Sequence, residues 1–255
     1  MLNTQIHGTP TALPPLLIAP GLFGSARNWG VIAKRLSDTR EVIALDMRNH
    51  GDSFWSDEHS YEAMAADLAE VIEAHGGQAD VLGHSMGGKA SMQLALTRPE
   101  LVRKLVIADI APKGYDHSHS GLIAAMKGLK IDDLTSRSEA DRRLSESIKI
   151  PAVRAFLLQS LEMRDGPVRW KLNLDVLDRV MADITGWPDT PGRFKGPSLF
   201  ISGALSDYVT PADHAAIRAQ FPAAEFVSLE GAGHWLHAEK PREFEATIEN
   251  FLTTG

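Results

Sequence analysis

The sequence contains no cysteine. This absence excludes disulfide frameworks, thiolate zinc sites, iron–sulfur clusters and cysteine nucleophiles together. A chain without thiols fits a reducing compartment, so a cytoplasmic location is expected.

Positive charge is also scarce. Lysine and arginine number 26 against 33 acidic residues, which gives a net charge of -7. No basic stripe with interleaved aromatic residues occurs. Binding to a phosphate backbone depends on surplus positive charge, so no nucleic-acid partner is expected.

Long apolar runs are missing as well. The run Leu16 to Ala19 is far shorter than the roughly 20 residues of a spanning helix. A secretory signal has a basic region followed by an apolar core, and the first residues show no such pattern. No membrane association is expected, and the sequence predicts no particular oligomeric state.

Short apolar runs alternate with helix-period segments through most of the 255 residues. This alternation predicts an α/β fold with a mostly parallel, doubly wound sheet. The predicted strands are Leu16–Ala19, Val42–Asp46, Ala79–Gly83, Lys104–Asp109, Ser198–Ser202 and Glu225–Leu229. The predicted core helices are Asn28–Leu36, Tyr61–His75, Met86–Thr97, Pro211–Gln220 and Pro241–Leu252.

The alternation stops over residues 112–196, and this pattern predicts a helical insertion between two core strands. Residues 1–111 and 197–255 are expected to form the core. Such an insertion lies above the carboxyl ends of the strands, where it can act as a cap. Its predicted helices are Leu122–Leu129, Ser138–Ile148, Val153–Met163 and Leu174–Ile184. The turn residues Arg164-Asp165-Gly166-Pro167 predict one hairpin inside it.

The strongest chemical signal is Gly83-His84-Ser85-Met86-Gly87, directly between a predicted strand and a predicted helix. This G-x-S-x-G pattern is typical of a nucleophile elbow, in which a tight turn exposes the serine hydroxyl. The backbone N–H of Met86, at the helix N-terminus, is then a candidate oxyanion donor.

A serine nucleophile needs a base and an acid that orients the base. Among ten histidines, His234 alone lies suitably late in the chain, in a glycine-rich loop after the last predicted strand. His237 leads instead into a surface-like sequence. Asp109 and Asp207 both follow predicted strands and both precede His234, so chain order does not choose between them.

Further residues complete the predicted site. The loop Pro20–Ser25 is rich in glycine, and its Leu22 N–H is the candidate second oxyanion donor. The candidate substrate-binding residues are Phe23, His84, Leu157, Leu158 and Trp235. His117 and His119 are interpreted as solvated loop residues, because no third ligand has metal spacing, and no metal is expected. The segment Asp46–Gly51 is expected to brace the floor of the site by hydrogen bonds.

Six motifs spread over nearly the whole chain match one known pattern. They are Gly21–Ser25, Asp46–Gly51, Gly83–Lys89, Asp109–Pro112, Phe156–Leu158 and Ala232–Pro241. Through them the chain resembles the α/β-hydrolase superfamily and, within it, small esterases of the YbfF type. The resemblance implies that Ser85, His234 and an aspartate hydrolyse short acyl esters without a cofactor.

The resemblance also favours Asp109 over Asp207, because its Asp-Ile-Ala-Pro segment matches the acid of those relatives. These relatives usually carry a histidine where this chain has Pro20, a difference that bears on the shape of the oxyanion loop.

The expected function is therefore a serine carboxylesterase that acts on a small-molecule ester. Other chemistry on the same triad, such as carbon–carbon bond hydrolysis, acyl transfer or a perhydrolase activity, is the first alternative. A binding protein that retains the hydrolase shell without catalysis is the second.

Overall fold

A twisted, mostly parallel sheet organises the molecule. The structure is a computed structural model that describes residues 1–164 and 166–254, and in this part of the chain the sheet has seven strands. With a separate pair, the described residues form nine strands in all. They are β1 (Thr4–His7), β2 (Leu16–Ala19), β3 (Val42–Leu45), β4 (Ala79–His84), β5 (Val102–Ala108), β6 (Leu161–Glu162), β7 (Arg169–Trp170), β8 (Ser198–Gly203) and β9 (Ala224–Leu229). Their order in the sheet is β1-β3-β2-β4-β5-β8-β9, and β6 and β7 pair separately.

The predicted doubly wound α/β fold is confirmed. All six predicted strands occur, with ends shifted by two residues at most. The prediction missed β1, which pairs antiparallel with β3 at the edge of the sheet. Its four residues are half-buried or exposed, so they lack the apolar run that marks the inner strands.

Helices cover both faces of the sheet. They are α1 (Ala26–Leu36), α2 (Tyr61–Ala74), α3 (Met86–Thr97), α4 (Ser120–Gly128), α5 (Arg137–Leu144), α6 (Pro151–Leu157), α7 (Leu174–Arg179), α8 (Met181–Thr185), α9 (His214–Gln220), α10 (Leu236–Glu239) and α11 (Pro241–Thr253). Leu16 and Ile18 of β2 face α1 and α11, whereas Leu17 belongs to the cluster built with α2 and α3. This alternation along one strand is what a sheet buried on both faces requires.

Residues 112–196, which we call the cap segment, lie between β5 and β8. Three of its predicted helices are corrected by the structure. The helix expected over Ser138–Ile148 ends at Leu144, and the one over Leu174–Ile184 is broken at Val180 into α7 and α8. The helix expected over Val153–Met163 ends at Leu157, because a 3-10 turn leads into β6.

The hairpin predicted inside the cap segment is present. Leu161 pairs with Trp170, and Glu162 pairs with Arg169. Asp165, part of the predicted turn, lies outside the described residues.

The segment Asp46–Gly51 makes hydrogen bonds to both the core and the cap segment. The Asp46 carboxylate accepts from the Ala26 N–H at 2.8 Å and thereby ties the loop to α1. The Gly51 N–H donates to the Lys171 carbonyl of the cap segment at 2.8 Å. No residue of the segment lines the candidate site cavity described below. The loop therefore joins α1 of the core to the cap segment, and its residues do not line the cavity themselves.

Among the described residues, no helix combines the length and apolar character needed to cross a bilayer. Within the same residues, no group of three or more His, Cys, Asp or Glu side chains is arranged to hold a metal ion.

Two buried histidines, one in the Asp46–Gly51 segment and one that contacts it, make stability depend on pH. Burial lowers the pKa of His50 to about 4 and the pKa of His59 to about 3. The unfolded chain therefore binds protons that the folded chain excludes, and stability is lost as the pH falls below about 6.5. We expect urea denaturation to give a free energy of unfolding lower at pH 5 than at pH 7 by up to about 2 kcal/mol per histidine.

The variant His59→Asn removes one of these titrations. The loss of stability between pH 7 and pH 5 should be smaller in this variant than in the parent. An equal loss in both proteins would show that His59 does not contribute.

Candidate active site

Ser85 occupies the turn between β4 and α3. Its backbone lies at φ 50° and ψ -119°, in a strained conformation. The turn is tight, because a Cβ added at Gly87 would lie 2.2 Å from the Ala19 carbonyl oxygen. The Ser85 N–H donates to the Ala108 carbonyl at 3.1 Å, so the elbow is fastened to the end of β5.

His234 meets a carboxylate from that neighbouring strand. Its Nδ1 lies 2.7 Å from Asp109 Oδ2, and Asp109 is fully buried directly after β5. Asp109 Oδ1 accepts from the Gly203 N–H at 3.0 Å, and Oδ2 also accepts from the Ser206 hydroxyl at 2.5 Å. The carboxylate is thus fixed from two sides, and its hydrogen bond sets the orientation of the imidazole.

Asp207 takes no part in this arrangement. Its side chain is exposed, and among the described residues it makes no hydrogen bond or ion pair. The loop after β8 directs its neighbour Ser206 toward Asp109 instead. Sequence order could not distinguish Asp109 from Asp207, because the path of the loop decides which of its side chains points inward.

Ser85 and His234 line one cavity of about 590 Å³. Within the described residues no hydrogen bond joins the Ser85 hydroxyl to the His234 ring. Catalytic hydrogen bonds are often long before a substrate binds, so the lack of one here is compatible with His234 as the base.

The two proposed oxyanion donors flank Ser85. Leu22 lies within a turn closed by the Gly24 N–H donating to the Gly21 carbonyl at 3.0 Å. Met86 is the first residue of α3. In the described part of the chain, neither the Leu22 nor the Met86 N–H has an acceptor, so both remain available to a developing negative charge.

The cavity walls include most of the predicted substrate-binding residues. Phe23, Leu157 and Trp235 line it, and Trp235 lies with its ring centroid 5.9 Å from that of Phe156. Leu158 is a correction. It follows Leu157 at the end of α6, where successive side chains point about 100° apart, and it lines a separate groove.

His84 lines the cavity too, but its polar edge is engaged elsewhere. Burial lowers its pKa well below the usual value, so the ring is neutral. Its Nε2 lies 2.9 Å from the His234 carbonyl and donates to it. His84 therefore holds the His234 loop in place, a role that the expectation of substrate contact had missed.

His237 is buried, contrary to the expectation of a surface position. Its ring stacks on Trp29 of α1 at 4.2 Å and 11°. Burial lowers its pKa to about 3. The following charged residues suggested exposure, but α10 turns the histidine toward α1.

In the motif His117-Ser118-His119, His117 is exposed, as expected, whereas His119 is half-buried and lines the cavity. His117 Nε2 lies 2.6 Å from the Tyr208 hydroxyl, and the Tyr208 ring stacks on His234 at 3.9 Å. Burial lowers the pKa of His119 to about 4. Sequence reasoning missed Tyr208 altogether, because nothing local distinguishes a tyrosine that stacks on a distant imidazole.

Comparisons with known proteins identify the family of this chain. Residues 16–247 match the model of the alpha/beta hydrolase family. The sn-1-specific diacylglycerol lipase ABHD11 of Mus musculus is 42% identical over 260 residues, which cover 98% of this chain and 85% of that protein. Esterase YbfF of Escherichia coli K12 is 38% identical over 240 residues, covering 93% of this chain and 92% of that protein.

A solved structure described as a marine microorganism esterase is similar over 98% of both chains, with a TM-score of 0.93 and 39% sequence identity. Sequence family, curated relatives and solved structure thus agree over almost the entire length of the chain. This chain belongs to the alpha/beta hydrolase family.

Proposed function

We propose that this protein is a serine carboxylesterase that hydrolyses esters of short-chain acids through an acyl-enzyme on Ser85. The observation that carries the proposal is the shared cavity of Ser85 and His234, with His234 Nδ1 held 2.7 Å from the buried Asp109 carboxylate. The names of the relatives, an esterase and a lipase, support ester hydrolysis over carbon–carbon bond cleavage.

In the first half of the reaction, His234 takes the hydroxyl proton of Ser85 as its Oγ attacks the ester carbonyl carbon. The N–H groups of Leu22 and Met86 stabilise the oxyanion, and Asp109 stabilises the imidazolium. The alcohol leaves with the proton from His234. In the second half, water attacks the acyl-enzyme by the same route and releases the acid.

The cap segment closes the cavity from above, through residues such as Leu122, Val153 and Leu157. We propose that it acts as a lid and limits acyl chain length. The cytoplasmic location expected from the cysteine-free sequence stays a prediction.

Removal of the nucleophile tests the acyl-enzyme. Ser85→Ala should lower kcat for a chromogenic butyrate ester by about 10⁶-fold, as loss of a triad nucleophile does. Ser91→Ala serves as the control, because Ser91 lies on the same helix with its hydroxyl bonded to the Gly87 carbonyl at 2.7 Å. A folded Ser85→Ala protein with more than about a hundredth of parental activity would exclude the covalent mechanism.

The two candidate acids form a matched pair. Asp109→Asn should lower kcat by about 10⁴-fold, because the amide no longer fixes the reactive tautomer of His234. Asp207→Asn should leave kcat close to the parental value, since Asp207 is exposed. Collapse of kcat in Asp207→Asn with normal turnover in Asp109→Asn would reverse the assignment.

Leu157 and Leu158 test the lid. Leu157→Ala enlarges the cavity and should raise the ratio of octanoate to butyrate hydrolysis. Leu158→Ala removes the same side chain from an adjacent buried position that does not line the cavity. Its ratio should equal that of the parent. Equal ratios in all three proteins would contradict a role of the cap segment in chain-length selection.

A further inference from the structure

A buried lysine lies where the cap segment meets the core. Lys89 is on α3, one turn after Ser85, and only 1% of it is exposed. Among the described residues it forms no ion pair with a carboxylate. A buried ammonium group is costly, so its hydrogen-bond partners show what it does there.

Those partners belong to the cap segment. Lys89 Nζ donates to the Thr185 carbonyl at 2.9 Å and to the Gly186 carbonyl at 2.5 Å, at the end of α8. The ammonium group also lies 4.8 Å from the ring centroid of Tyr115 and 5.7 Å from that of Tyr61. Aromatic faces stabilise a cation in place of water.

The same helix end receives two further donors, one from the core and one from the start of the cap segment. The Tyr61 hydroxyl donates to the Ile184 carbonyl at 2.6 Å, and the Tyr115 N–H donates to the Thr185 carbonyl at 3.0 Å. Three successive carbonyls, from Ile184 to Gly186, are thus held by these groups. We call Tyr61, Lys89 and Tyr115 the cap clasp.

The cap clasp is also connected to the catalytic groups. The Lys89 N–H donates to the Ser85 carbonyl at 3.0 Å in the first turn of α3. The Tyr115 hydroxyl donates to the Tyr208 carbonyl at 2.8 Å, and the Tyr208 ring stacks on His234. The cap clasp therefore contacts Ser85 directly and His234 through Tyr208.

We propose that Lys89 is a positioning residue that fixes the cap segment over the cavity and thereby sets how well the enzyme accepts longer acyl chains. The proposal rests on the proposed esterase function. Short acyl groups occupy the cavity near Ser85, whereas longer groups must contact the roof formed by Leu122, Val153 and Leu157. If the cap segment is loosened, the contacts of longer acyl groups with this roof are weakened, whereas short acyl groups are not affected.

Lys104 provides a matched control. It is 4% exposed, and its Nζ donates to the carbonyls of Phe251 and Leu252 near the end of α11. It also lies 5.4 Å from the Phe251 ring centroid. Lys104 therefore repeats the chemistry of Lys89 at a helix end of the core, outside the cap segment.

The experiment compares Lys89→Met and Lys104→Met with acetyl and octanoyl esters of the same alcohol. In Lys89→Met the octanoyl-to-acetyl ratio of kcat/KM should fall about tenfold or more, the equivalent of one lost charge-assisted hydrogen bond. In Lys104→Met the ratio should not change. Partial unfolding cannot change the ratio, because it removes active enzyme equally for both esters. An unchanged ratio in Lys89→Met, or an equal fall in both variants, would overturn the proposal.

Tyr61→Phe keeps the test valid if Lys89→Met does not fold. It removes only the hydroxyl donated to Ile184, and the same ratio should fall to a smaller extent. An unchanged ratio in Tyr61→Phe would then overturn the proposal.

Hydrogen exchange separates this proposal from the proposed function. If the parent hydrolyses neither ester, the esterase function fails, and the cap clasp is judged by amide exchange over residues 181–186. Exchange faster in Lys89→Met than in Lys104→Met supports the clasp. Equal rates in the two variants contradict it.

Discussion

The carboxylate of Asp109 is the constraint on which the site depends. It is buried at the end of β5, and it accepts from His234, Ser206 and Gly203. A buried carboxylate without these donors would be strongly destabilising, so the loops after β8 and β9 must converge on it. Its position thereby fixes where the imidazole lies relative to Ser85.

The parallel sheet makes this convergence possible. β4 and β5 are neighbours, so Ser85 and Asp109 leave the same edge of the sheet side by side. Both residues have positive φ, at 50°, and at this edge Ser85 lines the cavity whereas the fully buried Asp109 contacts His234. The cap segment is inserted after β5, at this same edge of the sheet.

Much of this could be predicted from sequence, because the signals are local. The inner strands are apolar runs, and the elbow of Ser85 is a short pattern between a strand and a helix. The choice between Asp109 and Asp207 needed the path of a loop, since both follow strands. Tyr208 and His237 were missed because their contacts, with His234 and Trp29, depend on the tertiary arrangement of separate elements.

A crystal structure of the protein after reaction with an alkyl phosphonate ester tests the account most directly. The account predicts a covalent bond from phosphorus to Ser85 Oγ, a phosphonyl oxygen that accepts from the N–H groups of Leu22 and Met86, and the alkyl chain beneath the cap segment. Asp109 should still bind His234 Nδ1. An adduct on another residue, or an oxygen directed away from both N–H groups, would contradict it.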